Sequence, residues 1–261
     1  MRTLLIATAT VLLVAACGGK DDAGSAGAPG PAAESLPTTV PPAAGTPPAT
    51  AAPVDAGQTT AAATPAGPVT GLGGRTGELV NPDNNAMVFL YHDLAGITPR
   101  IDRWVEEDTR VKFAPAIDKP ALRDTVRAEL EAGMAAVKGA GVIRLSLNSA
   151  NLSDYDPTYG EFTVRALAPS SVVTFDALGQ KVTLRFGNGR TAQIWRVPAA
   201  EAQAIRDKVA MGYNVDLDVL LVVKSVVPGP AGGTITADVI EYEMRETRGG
   251  TTIARVRVPQ A

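Results

Sequence analysis

The sequence predicts an α+β domain, and three observations carry that expectation. Apolar residues recur at helical spacing between about 82 and 138 and at every second position after Gly141, and clusters of Gly, Asn, Asp and Pro separate the runs. All twelve aromatic residues lie at Phe89 or later. The core therefore belongs to 75–261, a length that suits a single domain. The expected architecture places N-terminal helices on one face or across one end of a curled antiparallel meander sheet or open barrel, with one helix inserted between strands.

The helices are legible from their ends and stripes. Pro82-Asp83 opens a helix over 82–95 that carries Met87, Leu90, Tyr91 and Leu94 and stops at Gly96. Thr98-Pro99 reads as the cap and first residue of a short helix bearing Ile101, Trp104 and Val105. The longest helix, 120–138, is capped by Asp118; Leu122, Val126, Leu130, Met134 and Val137 form one stripe, expected to cover the sheet. Arg127 and Glu131 face solvent, and Gly139-Ala140-Gly141 ends the helix.

Beyond Gly141 the period becomes two. Ile143, Leu145 and Leu147 alternate with Arg144, Ser146 and Asn148, the pattern of a half-buried strand. Further strands are expected over 161–167, 172–175, 181–186, 191–197, 215–227, 234–246 and 251–258. A helix over 198–211 interrupts them, with Ala202, Ile205 and Val209 inward and Gly212 at its end. Gly187-Asn188-Gly189-Arg190 gives the strongest hairpin signal and Arg248-Gly249-Gly250 the second. A two-residue loop at the first would pair Leu184 with Gln193. A three-residue loop with a Gly bulge, the preferred register, pairs Leu184 with Ile194 and Phe186 with Ala192.

The first third is of another kind. Leu4 to Val14 is an apolar run after Met1-Arg2, as long as a secretory leader core and too short to span a bilayer, so 1–16 reads as a signal peptide. The run closes on Val14-Ala15-Ala16-Cys17-Gly18, which resembles the bacterial lipobox. There small residues precede a Cys that is lipidated (with palmitate among its acyl chains) and becomes the first mature residue. Cys17 is the only Cys in the chain and stands where that chemistry needs it. The alternative is an ordinary signal peptide cut after Ala-x-Ala. Gly18 follows the Cys instead of the Asp that resembles an inner-membrane retention signal, so the resemblance implies an outer-membrane anchor facing the periplasm. In a single-membrane host the same chain would face outward.

From 17 to 74 the chain is rich in Ala, Pro, Gly and Thr, and 18–74 holds ten of the twenty prolines and few charges. Such a composition buries too little apolar surface to offset chain entropy, so a disordered tether is expected. Its root-mean-square span is about 40 Å.

Composition excludes several functions. One His and one Cys leave no Cys/His zinc site and no disulfide framework. From Arg75 onward 22 basic residues face 23 acidic ones, which supplies no field for a nucleic-acid backbone. No cofactor fingerprint, phosphate loop or Gly-x-Ser-x-Gly elbow occurs.

The candidate catalytic residues are few. His92 is the one side chain that ordinarily titrates near neutrality, so it is a candidate base, set against a helix-packing or surface role. Asp154, Asp156 and Glu161 cluster at a turn, where carboxylates serve glycosidases or Ca²⁺, but Asp-x-Asp and Asp-Pro are also ordinary turn chemistry. Arg144, Arg165, Arg185 and Arg196 lie on strands and either converge on an anion or, as is expected, face solvent. The segment Leu152-Ser153-Asp154-Tyr155-Asp156 ahead of Gly160-Glu161-Phe162 resembles a family of bacterial envelope proteins known only as a domain of unknown function, a resemblance that implies no activity. The expectation is a lipid-anchored envelope protein, a binding or structural module more than an enzyme, whose partner is an envelope protein or cell-wall polymer. A cell-wall or glycan hydrolase using Asp154, Asp156 or Glu161 is the alternative.

Lipidation at Cys17 predicts that Cys17→Ser moves the protein from the detergent phase to the aqueous phase, because acyl burial at about 0.8 kcal/mol per CH₂ is what retains it. Unchanged detergent partitioning of that variant would refute the anchor.

Overall fold

The computed structural model describes residues 67–209 and 215–260, and all of these fall in one compact unit. The leader, Cys17, the tether up to 66 and Gly212 lie outside the described residues. The α+β class holds. The chain order is β1 (Gly77–Val80), α1 (Asn84–Ala95), α2 (Ile101–Glu107), α3 (Thr109–Lys112), α4 (Lys119–Val137), β2 (Ala140–Leu147), β3 (Glu161–Thr163), β4 (Val172–Ala177), β5 (Gln180–Phe186), α5 (Gly189–Ala192), β6 (Ile194–Arg196), α6 (Ala199–Val209), β7 (Val215–Gly229), β8 (Gly232–Glu246) and β9 (Thr252–Arg257).

The sheet is mixed and open, which corrects the antiparallel meander. Its order is β1-β2-β7-β8-β5-β4, with β9 also on β8, and β3 and β6 form a separate pair. Strands joined by short turns are antiparallel as expected: β4 with β5, β7 with β8, β8 with β9. Two further pairings, β1 with β2 and β5 with β8, are parallel. Each of these needs a long connection, and each has one. The four helices α1 to α4 link β1 to β2, and the segment from α5 through β7 links β5 to β8.

Asp83 caps α1 by accepting from the Ala86 N–H at 2.7 Å, and Gly96 ends it in the left-handed region at φ 63°. Every residue from Met87 to His92 is buried, so the helix has no polar face. A helix apolar all round must be enclosed. One side of α1 lies on β4, β5, β7 and β8, and the other receives α4. This corrects the expectation that the longest helix covers the sheet: α4 packs on α1 and α2, a layer further out. Gly133 of α4 makes the approach possible, since a Cβ there would stand 2.5 Å from the Phe89 ring.

The strongest hairpin signal is not a hairpin. Neither expected register forms: β5 lies between β4 and β8, and β6 pairs with β3. Asn188 instead turns its amide onto β8, where Nδ2 donates to the Val239 carbonyl at 2.8 Å and Oδ1 accepts the Val239 N–H at 2.9 Å. The next residue, Gly189, opens the one-turn α5, and a Cβ on it would lie 2.8 Å from the Leu167 carbonyl oxygen. The Gly-Asn-Gly triplet serves close backbone approach, not a reversal. The two-residue hairpin turns are Leu178-Gly179 between β4 and β5, with φ of 53° and 68°, and Pro230-Ala231 between β7 and β8. The Arg248-Gly249-Gly250 turn does join β8 to β9, closed by Glu246 N–H donating to the Thr251 carbonyl at 2.9 Å.

The substitution Asn188→Gly separates the two readings of this triplet. A hairpin turn tolerates it. Here it removes both amide bonds to Val239, leaving the N–H without a partner while the carbonyl keeps Gln260 Nε2 at 3.2 Å, and should destabilise the fold by about 1–3 kcal/mol, read from the urea midpoint. A midpoint equal to the parent's would exclude the amide from the ladder.

Candidate functional site

The described residues form a cleft of about 310 Å³ between the segment 152–154, Phe162 of β3 and one face of α6. Its walls are fixed from below. Phe162 stacks on Trp195 of β6 at 5.2 Å between centroids, and Tyr155 tilts against it at 5.1 Å. The Tyr155 hydroxyl donates to the Val197 carbonyl at 2.9 Å. Ser153 ties the segment to β3, its N–H donating to the Thr163 carbonyl at 2.9 Å and its Oγ accepting the Thr163 N–H at 2.7 Å.

Leu152, Phe162, Ile205 and Val209 make the apolar floor, and Asp154, Gln203, Arg206 and Asp207 make the rim. Gln203 Nε2 donates to Asp207 Oδ1 at 2.8 Å, one turn along the helix. The volume is at the lower end for small-ligand sites, and such a floor and rim suit an apolar group carried on a polar or charged ligand. Sequence reasoning took α6 only for its inward stripe and missed Gln203, Arg206 and Asp207. Their spacing of three and four, on the flank of that stripe, is the signal that marks them.

The three carboxylates expected at a turn are placed apart in role. Asp156 Oδ1 accepts the Thr158 N–H at 2.8 Å and the Tyr159 N–H at 3.3 Å, which is turn chemistry. Glu161 stands across the β3–β6 pair from Arg196, with Oε2 at 3.8 Å from Nε. Asp154 alone of the three lines the cleft, where the other carboxylate is Asp207. No group of three His, Cys, Asp or Glu among the described residues is arranged to hold a metal ion.

His92 is buried at the junction of helix and sheet. Its Nδ1 lies 3.1 Å from the Ile97 carbonyl, and its Nε2 lies 2.9 Å from Nε2 of Gln180 at the start of β5. A carbonyl only accepts, so the ring proton sits on Nδ1 and Nε2 takes the amide N–H. Edge contacts to Trp104 at 5.3 Å and Tyr91 at 5.4 Å complete the enclosure. This is a packing role, with no access for a substrate.

The four arginines expected on strands share no partner, and Arg165 begins a one-turn 3₁₀ helix, Arg165–Leu167, beyond the end of β3. Arg165, Arg185 and Arg196 are exposed, and Arg144 is half-exposed beside Glu78, with Nε at 3.0 Å from Oε1. The outer face of the sheet instead carries a ladder of ion pairs. Arg245 meets Asp218 at 2.9 Å and Glu243 at 2.9 Å, and Arg255 meets Glu243 at 2.5 Å. Arg144, Arg165, Arg185 and Arg196 thus turn outward, as expected, and the ladder is built from other arginines, Arg245 and Arg255.

The chain matches no known protein family, no curated protein and no solved structure.

Within the ladder, hydrogen bonds from Arg255, Arg245 and Thr252 lower the Glu243 carboxyl from its ordinary value of about 4.5 to about 2. A depressed folded-state value contributes stability that is present above the unfolded value and lost as pH falls through the folded one. The stability gap between the parent and Glu243→Gln should therefore be constant from neutral pH to about 4.5 and close between there and about pH 2, with salt shrinking it throughout. A gap that widens on acidification, in chemical denaturation at stepped pH, would reverse the assignment.

Proposed function

We propose that this chain is a lipid-anchored bacterial cell-envelope protein, held by acyl chains on Cys17 at the outer membrane and facing the periplasm. Its α+β domain binds an envelope protein or a cell-wall polymer through the cleft beside α6 and performs no chemistry of its own. The observation that carries the anchor is the position of the single Cys directly after an apolar leader and two alanines. What supports binding over catalysis is the employment of the candidate groups: His92 is enclosed in the core, Asp156 caps a turn and Glu161 faces Arg196. What supports the cleft as the contact is its apolar floor under a rim of mixed charge.

The glycan-hydrolase reading retains Asp154 and Asp207, the two carboxylates at the rim. A single substitution separates it from the binding reading. Asp154→Asn should leave cell-wall digestion assays at background, as in the parent, and a parent that releases sugar while Asp154→Asn does not would establish the hydrolase.

A photo-crosslinking side chain at Gln203 should give a discrete adduct in intact cells, one that Ile205→Glu abolishes while the fold is retained. The same group at exposed Thr125 on α4 is the control. Equal adducts from both positions would remove the cleft from the proposal.

A further inference from the structure

We infer that the loop between α3 and α4 is a second membrane contact, a tip that dips into the surface of an anionic bilayer. This rests on the reading of the chain as lipid-anchored. The loop Phe113-Ala114-Pro115-Ala116-Ile117 presents Phe113 at 76% exposure and Ile117 at 87%, two large apolar side chains within five residues at the end of a helical hairpin. The other exposed large hydrophobics, such as Val80, Val172 and Tyr159, stand singly. Exposed single residues are ordinary; a paired display at a tip is not.

The tip is held in shape. The Pro115 carbonyl accepts from the Asp118 N–H at 3.0 Å and the Lys119 N–H at 3.2 Å, and Val111 beneath is buried. Little ordering entropy remains for a partner to supply.

Charge and form select the occupant. Lys112 and Lys119 flank the apolar pair, and neither forms an ion pair with a carboxylate among the described residues. The neighbouring Arg103, Arg110, Arg123 and Arg127 all form such pairs. The Lys112 ammonium lies 5.7 Å from the Phe113 ring centroid, and Lys119 Nζ reaches only the Lys112 carbonyl at 3.4 Å. Asp118 is the one acid within the loop, which leaves the tip net positive. A convex point with apolar side chains at its end and lysines behind them matches headgroups over acyl chains, where apolar atoms enter and ammonium groups remain among phosphates.

Reach allows it. The root of β1 lies at the far end of α4, where Gly77 N–H donates to the Gly139 carbonyl at 3.2 Å; the described chain itself begins ten residues earlier, at Gly67, with Val69 paired to Val226 of β7. The nineteen residues of α4 put the tip about 28 Å from that root. A flexible chain of forty-nine residues, the number between Cys17 and Gly67, has a root-mean-square span of about 40 Å, which exceeds that distance. Tethering raises the effective concentration to the millimolar range, so a weak tip suffices.

The test removes the anchor and keeps the tip. A chain of residues 17–261 with Cys17→Ser and Phe113→Trp is mixed with vesicles containing phosphatidylglycerol; Trp104 and Trp195 are 4% and 8% exposed and give a constant buried background. The introduced indole should shift to the blue and be quenched by brominated acyl chains. In cosedimentation, Phe113→Ser with Ile117→Ser should lower vesicle binding at least about tenfold. Lys112→Gln with Lys119→Gln should weaken it on anionic vesicles and not on neutral ones. Emission unchanged by vesicles would overturn the inference, as would a blue shift that grows with protein concentration in the absence of lipid, which would assign the tip to a second copy of the chain. The anchor is read separately by detergent partitioning of the lipidated chain. A Cys17-dependent anchor beside an indole that stays in water sinks the tip and leaves the anchor standing.

Discussion

Strand β8 is longer than any partner available on one of its edges, and the fold depends on how that shortfall is met. Along the other edge β7 matches it from Gly232 to Glu246. On the deficient edge β5 covers Gly232 to Ala237 in parallel and β9 covers Glu241 to Arg245 in antiparallel sense. Between them Val239, fully buried, would face the gap with an unpaired N–H and a carbonyl met only by Gln260 Nε2 at 3.2 Å. A buried backbone pair cannot be left so without a cost of about 1–3 kcal/mol per group. The Asn188 amide satisfies both groups, and Val258 N–H donates to the adjoining Ile240 carbonyl at 2.8 Å. At this junction β8 also takes its bulge, so that Val239 and Tyr242, three residues apart, are both buried.

The junction decides what the following residues can do. With Asn188 engaged on β8, the chain cannot fold back along β5. Gly189 is driven against the backbone of 167–169, and β6 is delivered to β3. The small aromatic lobe of Tyr155, Phe162 and Trp195, and with it the cleft, follows from a side chain standing in for a strand.

Most elements were legible in the sequence because their signals are local. The cap and stop of α1, the stripe of α4, the alternation of β2 and the Arg248-Gly249-Gly250 turn are written in adjacent residues. Order was not legible, since pairing across a long connection leaves no short-range mark. β1 went unseen: four residues, Gly-Glu-Leu-Val, carry no alternation long enough to recognise. The Gly187-Asn188-Gly189 triplet misled for a physical reason. The small residues that permit a tight turn also permit backbone to approach backbone, and only the long-range partner tells the two apart. The enclosure of α1 was legible in principle, since Met87 to Tyr91 leave no polar face, while the stripe on α4 was the louder signal.

The site was less legible than the fold because chemistry-bearing residue types carry their meaning in their partners. His92, weighed as a base against a helix-packing role, takes the packing role as a hydrogen-bonded strut between α1 and β5; its neighbours Ile97 and Gln180 lie 5 and 88 positions away. Arg144, Arg165, Arg185 and Arg196 face outward as expected, and elsewhere on the sheet Asp218 and Glu243 answer Arg245 and Arg255, as Glu78 answers Arg144. Such pairs bring little stability on an exposed face, yet they remove that face as an electrostatic lure. Two places set charge outside any ion pair beside apolar side chains: the cleft rim around Asp154 and Arg206, and the lysines behind Phe113. They lie on different parts of the chain, one on the β3–α6 lobe and one on the helical hairpin. Separate sites of this kind would allow a domain anchored as proposed to hold a partner without releasing the surface it rests on.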